Sequence, residues 1–512
     1  MLKARSGSYA VWMCLFLMAA APMVSWAKTG EIRWNLNIGS RITASPAIGD
    51  DGTIYVAADA ALYAIEDEGD GGSVRWTAAL GSTVFTPVIA SDGAGGLTIY
   101  VATAGGRLYA IAAKDGTAQW DSPFETGETI AACPALDGDG VLYIGTTAGR
   151  LYAVQSEDGK ARWSRPFTTD GGISAAPVTD TDGVIYVGTA SGRFYAVSPD
   201  GTEKWNSPFG ADGAISAAPA IGSDGTLYFG TSDGKLYAVG ADGTKKWNSP
   251  FSADGELSAS PSISSSGVIY IGTSAGKLYA VRSDGTAYWS DPFEADGALY
   301  TTPVIGEDGK LYFGSWGGRL YALYADGDEV KNWPVGISPT RSSPVIRNSG
   351  ILYIGTQTTG STTSQGRLYA VETDSDGIRH SAPWPMIAHD LRHTGRNTGN
   401  QSPEADAGAD QDATSGGRVS LDGSASDDPD FGIAAYSWTQ TDGTSVTLSD
   451  EDTAFASFTA PGVSDAEPLS FELTVTDNGG QTSTDTVSVR VEEDDSFCFI
   501  RTVRRGIFSH IR

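Results

Sequence analysis

Cysteine is nearly absent from this chain: Cys14, Cys133 and Cys498 are the only three in 512 residues. So few thiols exclude a disulfide framework and a thiolate metal site. Cys133 stands where other copies of the repeat described below carry Ala, Ser or Thr, which predicts a small buried residue. Histidine is as scarce, with His380, His389, His393 and His510 as the four. None lies in the repeating part of the chain, so the usual general base is missing there, although carboxylates remain. The sequence has no Gly-x-Ser-x-Gly elbow and no His-Glu-x-x-His helix. Positive charge is in deficit, with 34 Lys and Arg against 62 Asp and Glu and a net charge of −28. That balance argues against nucleic acid and anionic membrane surfaces as partners and favours solubility outside the cytoplasm. Beyond the first residues no apolar run is long enough to cross a bilayer.

The start of the chain has its own texture. Lys3 and Arg5 precede an apolar run from Ala10 to Ala21, and Ser25-Trp26-Ala27 follows. This order predicts a signal peptide over residues 1–27, cut after Ala27. A cut after Ala21 would place Pro22 directly behind the bond, and Cys14 lacks the small-residue setting of a lipoprotein site. The expected destination is the periplasm, the cell surface or the extracellular space.

What the sequence has in abundance is glycine, 65 residues, and a repeat. One unit runs Ile215-Ser-Ala-Ala-Pro219, Ser223-Asp-Gly-Thr-Leu-Tyr-Phe-Gly230, Asp233-Gly-Lys-Leu-Tyr-Ala-Val239 and Asp242-Gly-Thr-Lys-Lys-Trp247. The closing Trp recurs at 34, 76, 120, 163, 205, 247, 289 and 333, at spacings of 42 to 44 residues. Four β-rich runs per unit, separated by Asp-Gly turns, describe a propeller blade, and eight units describe a closed ring. The fold expected is therefore all-β: an eight-bladed β-propeller over residues 28–396, followed by an immunoglobulin-like β-sandwich. The Pro of each first strand suits a strand lining the central channel with one edge unpartnered. Each Trp is expected to close its own blade's outer strand and to pack between blades with its N–H satisfied. The eighth unit has no closing strand of its own until Trp384, so Glu31–Trp34 is expected to complete it from the N-terminus, with Trp384 as the competing candidate.

The pattern Leu-Tyr-Ala-Val-x-x-x-Asp-Gly-x-x-x-Trp resembles the repeat of pyrroloquinoline-quinone-type propellers. That group includes quinoprotein alcohol dehydrogenases and the propeller lipoprotein of the outer-membrane β-barrel assembly machinery. The resemblance spans about residues 30–398. It implies the fold, while its members differ in activity.

Residues 397–402 read as a polar linker, and residues 403–491 as a sandwich with alternating strands around Trp438 and Phe471. Ala407-Gly-Ala-Asp410, Asp422-Gly-Ser-Ala-Ser426 and Val475-Thr-Asp-Asn-Gly479 resemble polycystic-kidney-disease (PKD) type modules. That resemblance implies a spacer or a ligand contact on an exported protein. In the tail, 492–512, Cys498-Phe-Ile500 with Thr502 and Gly506 resembles a C-terminal sorting box, whereas the arginines among them suit a disordered end.

Function in near-identical blades is expected where the symmetry breaks. Three residues before the first-strand Pro, the units carry Thr43, Val84, Ala131, Ser174, Ser216, Ser258, Tyr300 and Arg341. The last two are large, and Trp316 replaces a small or polar residue in the second hairpin of the Tyr300 unit. With the enlarged hairpin Thr356–Gly366, these residues are expected to converge on one face as a ligand-binding site. Drift of the repeat in exposed loops is the competing explanation.

Asp170, Asp212, Asp254 and Asp296, each in a Pro-Phe-x-x-Asp-Gly stretch, read as turn residues, or as an arc drawing cations. Asp137-Gly-Asp139-Gly and Asp180-x-Asp182-Gly are too short for a calcium loop. His389, Asp390 and His393 have near metal-ligand spacing, but read first as a segment docking on the last blade. A quinone-dependent dehydrogenase would need an adjacent Cys-Cys pair and long insertions, and neither is present. The function expected is therefore binding or scaffolding without catalysis and without cofactor or metal. The expected partner is a protein or carbohydrate of the envelope or extracellular space, and the chain is expected to be a monomer.

Overall fold

The computed structural model describes residues 29–493 except 50, 92–95, 358–364, 376, 380–381, 383–385, 387, 391, 396–401, 427–432 and 478–480. The expected signal peptide, Trp384, most of the enlarged hairpin and the C-terminal tail lie outside the described residues.

Eight four-stranded antiparallel sheets form the blades. In blade 5, Ala220–Ile221 pairs Leu227–Gly230, which pairs Lys235–Val239, which pairs Phe251–Ser252. The middle two strands are buried on both faces because blades are stacked on either side of them. Blade 1 spans 47–79, and blades 2 to 7 begin at residues 88, 135, 178, 220, 262 and 304. Blade 8 takes its inner three strands from 345–372 and its outermost strand, Ile32–Asn37, from the start of the chain. The place contested by Trp384 is thus filled by the N-terminal strand.

The outer strands differ from expectation in one respect. Blades 2 to 7 close on a two-residue strand beyond the Trp, such as Phe251–Ser252, rather than on the Trp run itself. The reason is in the sequence: Pro123, Pro166, Pro208, Pro250, Pro292 and Pro334 follow those tryptophans within three residues. A proline has no N–H for the ladder and ends it there. Trp76 and Trp34 have no such Pro, and their strands, Gly72–Ala79 and Ile32–Asn37, run through the Trp.

The tryptophans fasten each blade to its neighbour. Each sits about 5.5–6.0 Å, centroid to centroid, from the Tyr of a second strand, as in Trp205–Tyr186 and Trp247–Tyr228. The Trp205 indole N–H reaches across to the Ala241 carbonyl at 2.9 Å, and Trp247 to Ser283 at 2.8 Å. Trp333 is the exception, with its Nε1 buried and unpartnered. Gly243 shows why the Asp-Gly turn carries glycine: its φ is +81°, and a Cβ there would lie 2.9 Å from the Trp205 ring.

After the last blade strand the chain turns into the ring. Ile378 bridges Gly306, and the Arg379 N–H donates to the Ile305 carbonyl of blade 7. Further on, the backbone N–H groups of Ile89, Leu136 and Thr179 donate to the carbonyls of Arg392, Thr394 and Gly395, and the His393 ring meets the Pro46 carbonyl. The segment therefore docks on the inner strands of blades 1 to 4 and 7, and not on the last blade alone as its sequence suggested. The inner edges of blades 2, 3, 4 and 7, expected to lack a partner, gain one from it. An unpaired buried N–H is costly, which explains why the chain seals them.

The sandwich has a four-stranded sheet ordered Gln411–Thr414, Thr482–Glu492, Glu467–Asp477 and Ile433–Asp442, with its first pair parallel. Arg418–Asp422 pairs with Phe455–Thr459 as the second sheet. Trp438, Phe458, Phe471 and Val489 are buried between the two.

Candidate functional site

Tyr300 and Arg341 lie on the approaches to the inner strands of blades 7 and 8, and Trp316 lies in the hairpin between Leu311–Gly314 and Arg319–Leu323 of blade 7. The structure brings the three together. The Arg341 guanidinium carbon sits 3.9 Å from the Tyr300 ring centroid and 5.1 Å from that of Trp316. The two rings meet edge to face, with centroids 6.0 Å apart. Such geometry suits both the ring quadrupoles and a cation above them.

The backbone beneath the cluster is fixed at each point. The Thr301 hydroxyl donates to the Gly314 carbonyl at 2.8 Å, and the Gly314 N–H returns a bond at 3.1 Å. The Thr340 hydroxyl donates to the Gly355 carbonyl at 2.7 Å. The Trp316 N–H donates to Ala298 at 2.9 Å, and the Thr340 N–H to Ser315 at 3.3 Å. Thr301 and Thr340 are buried, so the residues beside them, Tyr300 and Arg341, leave a rigid frame.

Tyr300 and Arg341 also line a cavity of about 230 Å³ on the propeller axis. Its walls come from small first-strand residues such as Thr43, Ser174, Ser216 and Ser258, and Ala388 and Gly395 of the docked segment line it too. Blade 2 departs from the sequence alignment. Val84 is 3% exposed and fills the buried anchor position of Ile42, because its loop is one residue shorter, and Phe85 also lines the cavity. Cys133 lines it as well, and burial pushes its thiol up to about 11, so it stays protonated and inert.

The four aspartates of the Pro-Phe loops do not form an open anionic arc. Each meets the basic first residue of the next blade's third strand: Asp212 meets Lys235 and Asp254 meets Lys277 at 2.7 Å, Asp170 meets Arg193 at 3.5 Å, and Asp296 meets Arg319 at 3.3 Å. The Lys235 ammonium holds the Asp212 carboxyl below the usual range, as Lys277 does for Asp254. The Asp212 N–H also donates to the Tyr237 hydroxyl at 3.1 Å. These residues latch neighbouring blades. Asp137 and Asp180 organise their own turns, each accepting two backbone N–H bonds and one from a Tyr hydroxyl.

His393 is fully buried, with Nε2 at 2.8 Å from the Pro46 carbonyl, so it carries its proton there as a neutral donor. Burial pushes its pKa down to about 4, although Asp390 nearby works in the opposite sense. Burial also opposes ionisation of Asp390, but the nearby His389 ring and the bonds from the Thr394 N–H and hydroxyl outweigh it and hold the carboxyl low.

A quinone and calcium centre, implied by the quinoprotein resemblance, does not fit these residues. Among the described residues no three His, Cys, Asp or Glu side chains converge to hold a metal ion. The axial cavity offers hydroxyls and methyls, and one isolated thiol stands where an adjacent pair would be needed.

No curated protein matches the chain. Among solved structures it is similar to BamB from Moraxella catarrhalis, at 18% identity and a TM-score of 0.50, over 65% of this chain and 98% of that one. It is also similar to the computationally designed Ika8 protein, at 13% identity and a TM-score of 0.53, over 67% and 99%. A third neighbour, Sqt1 of Saccharomyces cerevisiae, gives 12% and 0.54 over 67% and 99%. At such identities the likeness shows the propeller fold alone. Residues 407–491 match a family model of the PKD domain. Residues 24–180 and 168–380 match the model described as outer membrane protein assembly factor BamB. With more than half of its length matched, the chain belongs to the outer membrane protein assembly factor BamB family, and it carries a PKD domain behind the propeller.

Proposed function

We propose that this chain is an exported, non-catalytic binding protein of the cell envelope or the extracellular space. Its propeller holds a protein partner at the Tyr300–Trp316–Arg341 end of the channel, and its PKD domain acts as a spacer or adhesion unit. The observation that carries this reading is the convergence of three large residues from two blades, two of which, Tyr300 and Arg341, line an axial cavity. Each replaces a small or polar residue of the repeat, so the cluster serves no packing role that the other blades need. Family membership and the signal-peptide-like first 27 residues support an envelope role.

The test compares the full chain with a Tyr300→Ala, Trp316→Ala, Arg341→Ala triple variant, each immobilised and exposed to envelope extract. A partner held by the full chain and lost by the variant at unchanged melting temperature supports the reading. Equal capture by both overturns it. Saturable binding of pyrroloquinoline quinone with calcium, accompanied by dye-linked alcohol oxidation, would also overturn it.

A further inference from the structure

We propose that the axial cavity takes a carboxylate carried by a peptide segment of the partner, with Arg341 as the group that pairs with it. The proposal deepens the binding reading above and rests on it.

The basic side chains nearest to Arg341 in kind are already committed. Arg107 pairs with Glu125 at 2.9 Å, Arg150 pairs with Glu128, and Arg193, Lys235, Lys277 and Arg319 pair with the loop aspartates. Arg41, on the approach to the inner strand of the adjacent blade 1, pairs with Asp59 at 3.0 Å. Arg341 differs. Among the described residues no carboxylate lies within ion-pair distance of it, and what holds it are the faces of Tyr300 and Trp316. Aromatic rings fix a guanidinium in place without neutralising it, so its fork of N–H donors stays available to an anion.

The cavity itself supplies the second observation. Its lining is rich in hydroxyl-bearing residues, among them Thr43, Ser174, Ser216 and Ser258, and holds no Asp or Glu, so an anion beside Arg341 would meet polar side chains and no like charge. At about 230 Å³ the space is smaller than the roughly 300–1,000 Å³ of sites for whole small molecules. It suits one side chain or one chain end. Ala388 and Gly395 of the docked segment line it beside the inner strands of blades 2 to 4, whereas Arg341 lines it from blade 8. A peptide is favoured over an acidic sugar because the Tyr300 ring, which a sugar would need as a stacking platform, is already covered by the guanidinium.

The experiment measures fluorescence anisotropy of dye-labelled tetrapeptides added to the full chain. The probes are Ala-Ala-Ser-Ala as the free acid, the same peptide as the C-terminal amide, and the amide of Ala-Ala-Glu-Ala. Saturable binding of the free acid or the Glu peptide, with the plain amide at least tenfold weaker, is the expected result. The two acidic probes tell a chain end from a side chain. Arg341→Gln should weaken the favoured probe at least tenfold, whereas Arg341→Lys, which keeps the charge but loses the fork, should weaken it less. Equal binding of acid and plain amide, or wild-type affinity in Arg341→Gln, overturns the proposal. Arg341-dependent binding of oligogalacturonate without binding of either acidic peptide also overturns it. If the triple alanine variant loses its partner while no acidic peptide binds, the carboxylate assignment falls and the binding reading stands. If capture survives the triple variant, the binding reading itself falls.

Discussion

Blades 4, 5 and 6 present Ser174, Ser216 and Ser258 to the channel where blades 7 and 8 present Tyr300 and Arg341, on nearly the same backbone. The Trp that joins blades is kept on both sides of this boundary, although its hydrogen bond changes beyond it: Trp34 donates to the Asp67 carboxylate, and Trp333 has no partner among the described residues. Trp205, Trp247 and Trp289 each reach the next blade's carbonyl in the same way. The lesson is a division of labour inside one repeat. Some positions hold the ring together and keep the same side chain in every blade, while others face the channel and differ from blade to blade.

The sharpest way to break the comparison is to attack what all blades share. Removing residues 32–37 takes the outer strand from blade 8 and exposes a sheet edge, so the whole propeller, not one blade, should lose its cooperative melt. Calorimetry that finds the transition unmoved would show that another segment closes the ring. Within the ring, two glycines of like φ separate turn strain from inter-blade packing. Gly225→Ala, at φ +75° with open space around it, should cost about 1–2 kcal/mol. Gly243→Ala, at φ +81° and against Trp205, should cost clearly more in denaturant unfolding.

The docked segment and the aromatic cluster give the third contrast. His393 in that segment is neutral with a folded pKa of about 4, against an unfolded value of about 6.5. The unfolded chain therefore binds the extra proton first. The stabilisation is whole above pH ~6.5 and is lost as pH falls toward 4, by up to about 3 kcal/mol. His393→Asn should flatten unfolding free energy across that window; an unchanged pH slope would refute the assignment. The smallest effect belongs to the aromatic cluster. Trp316 is only half-buried, so Trp316→Ala should shift unfolding by no more than about 0.5 kcal/mol. A larger loss would make the residue part of the packing and remove it from the site.

Much of this could be read from the chain itself. The Trp and Leu-Tyr-Ala periods fixed the number of blades, and the missing strand of the eighth unit pointed to Glu31–Trp34. Tyr300, Trp316 and Arg341 stood out because a repeat makes its own exceptions visible. The prolines after six of the tryptophans carried the signal for the short outer strands, although the pattern was read as one run. The path of the segment ending at Gly395 was not legible. Its partners are backbone N–H groups of distant blades, and main-chain hydrogen bonds leave no mark in side-chain pattern. The latching role of Asp212 and Asp254 was equally hidden, since it depends on Lys235 and Lys277 arriving from the next blade.

The pairing of the first strand with the last has a consequence for the order of events during synthesis. Asn35 and Arg367, which hydrogen-bond across that seam, are 332 residues apart. The strand that leaves the ribosome first must wait, unpaired, until nearly the whole ring has followed it. Its contacts are among the least local in the molecule, and such pairings form slowly. A chain halted anywhere before residue 367 would carry two exposed sheet edges, one at each end, and would be a substrate for holding factors and proteases. Only a complete propeller can hide both, so completion of the ring doubles as a test that translation has run to the end of the last blade.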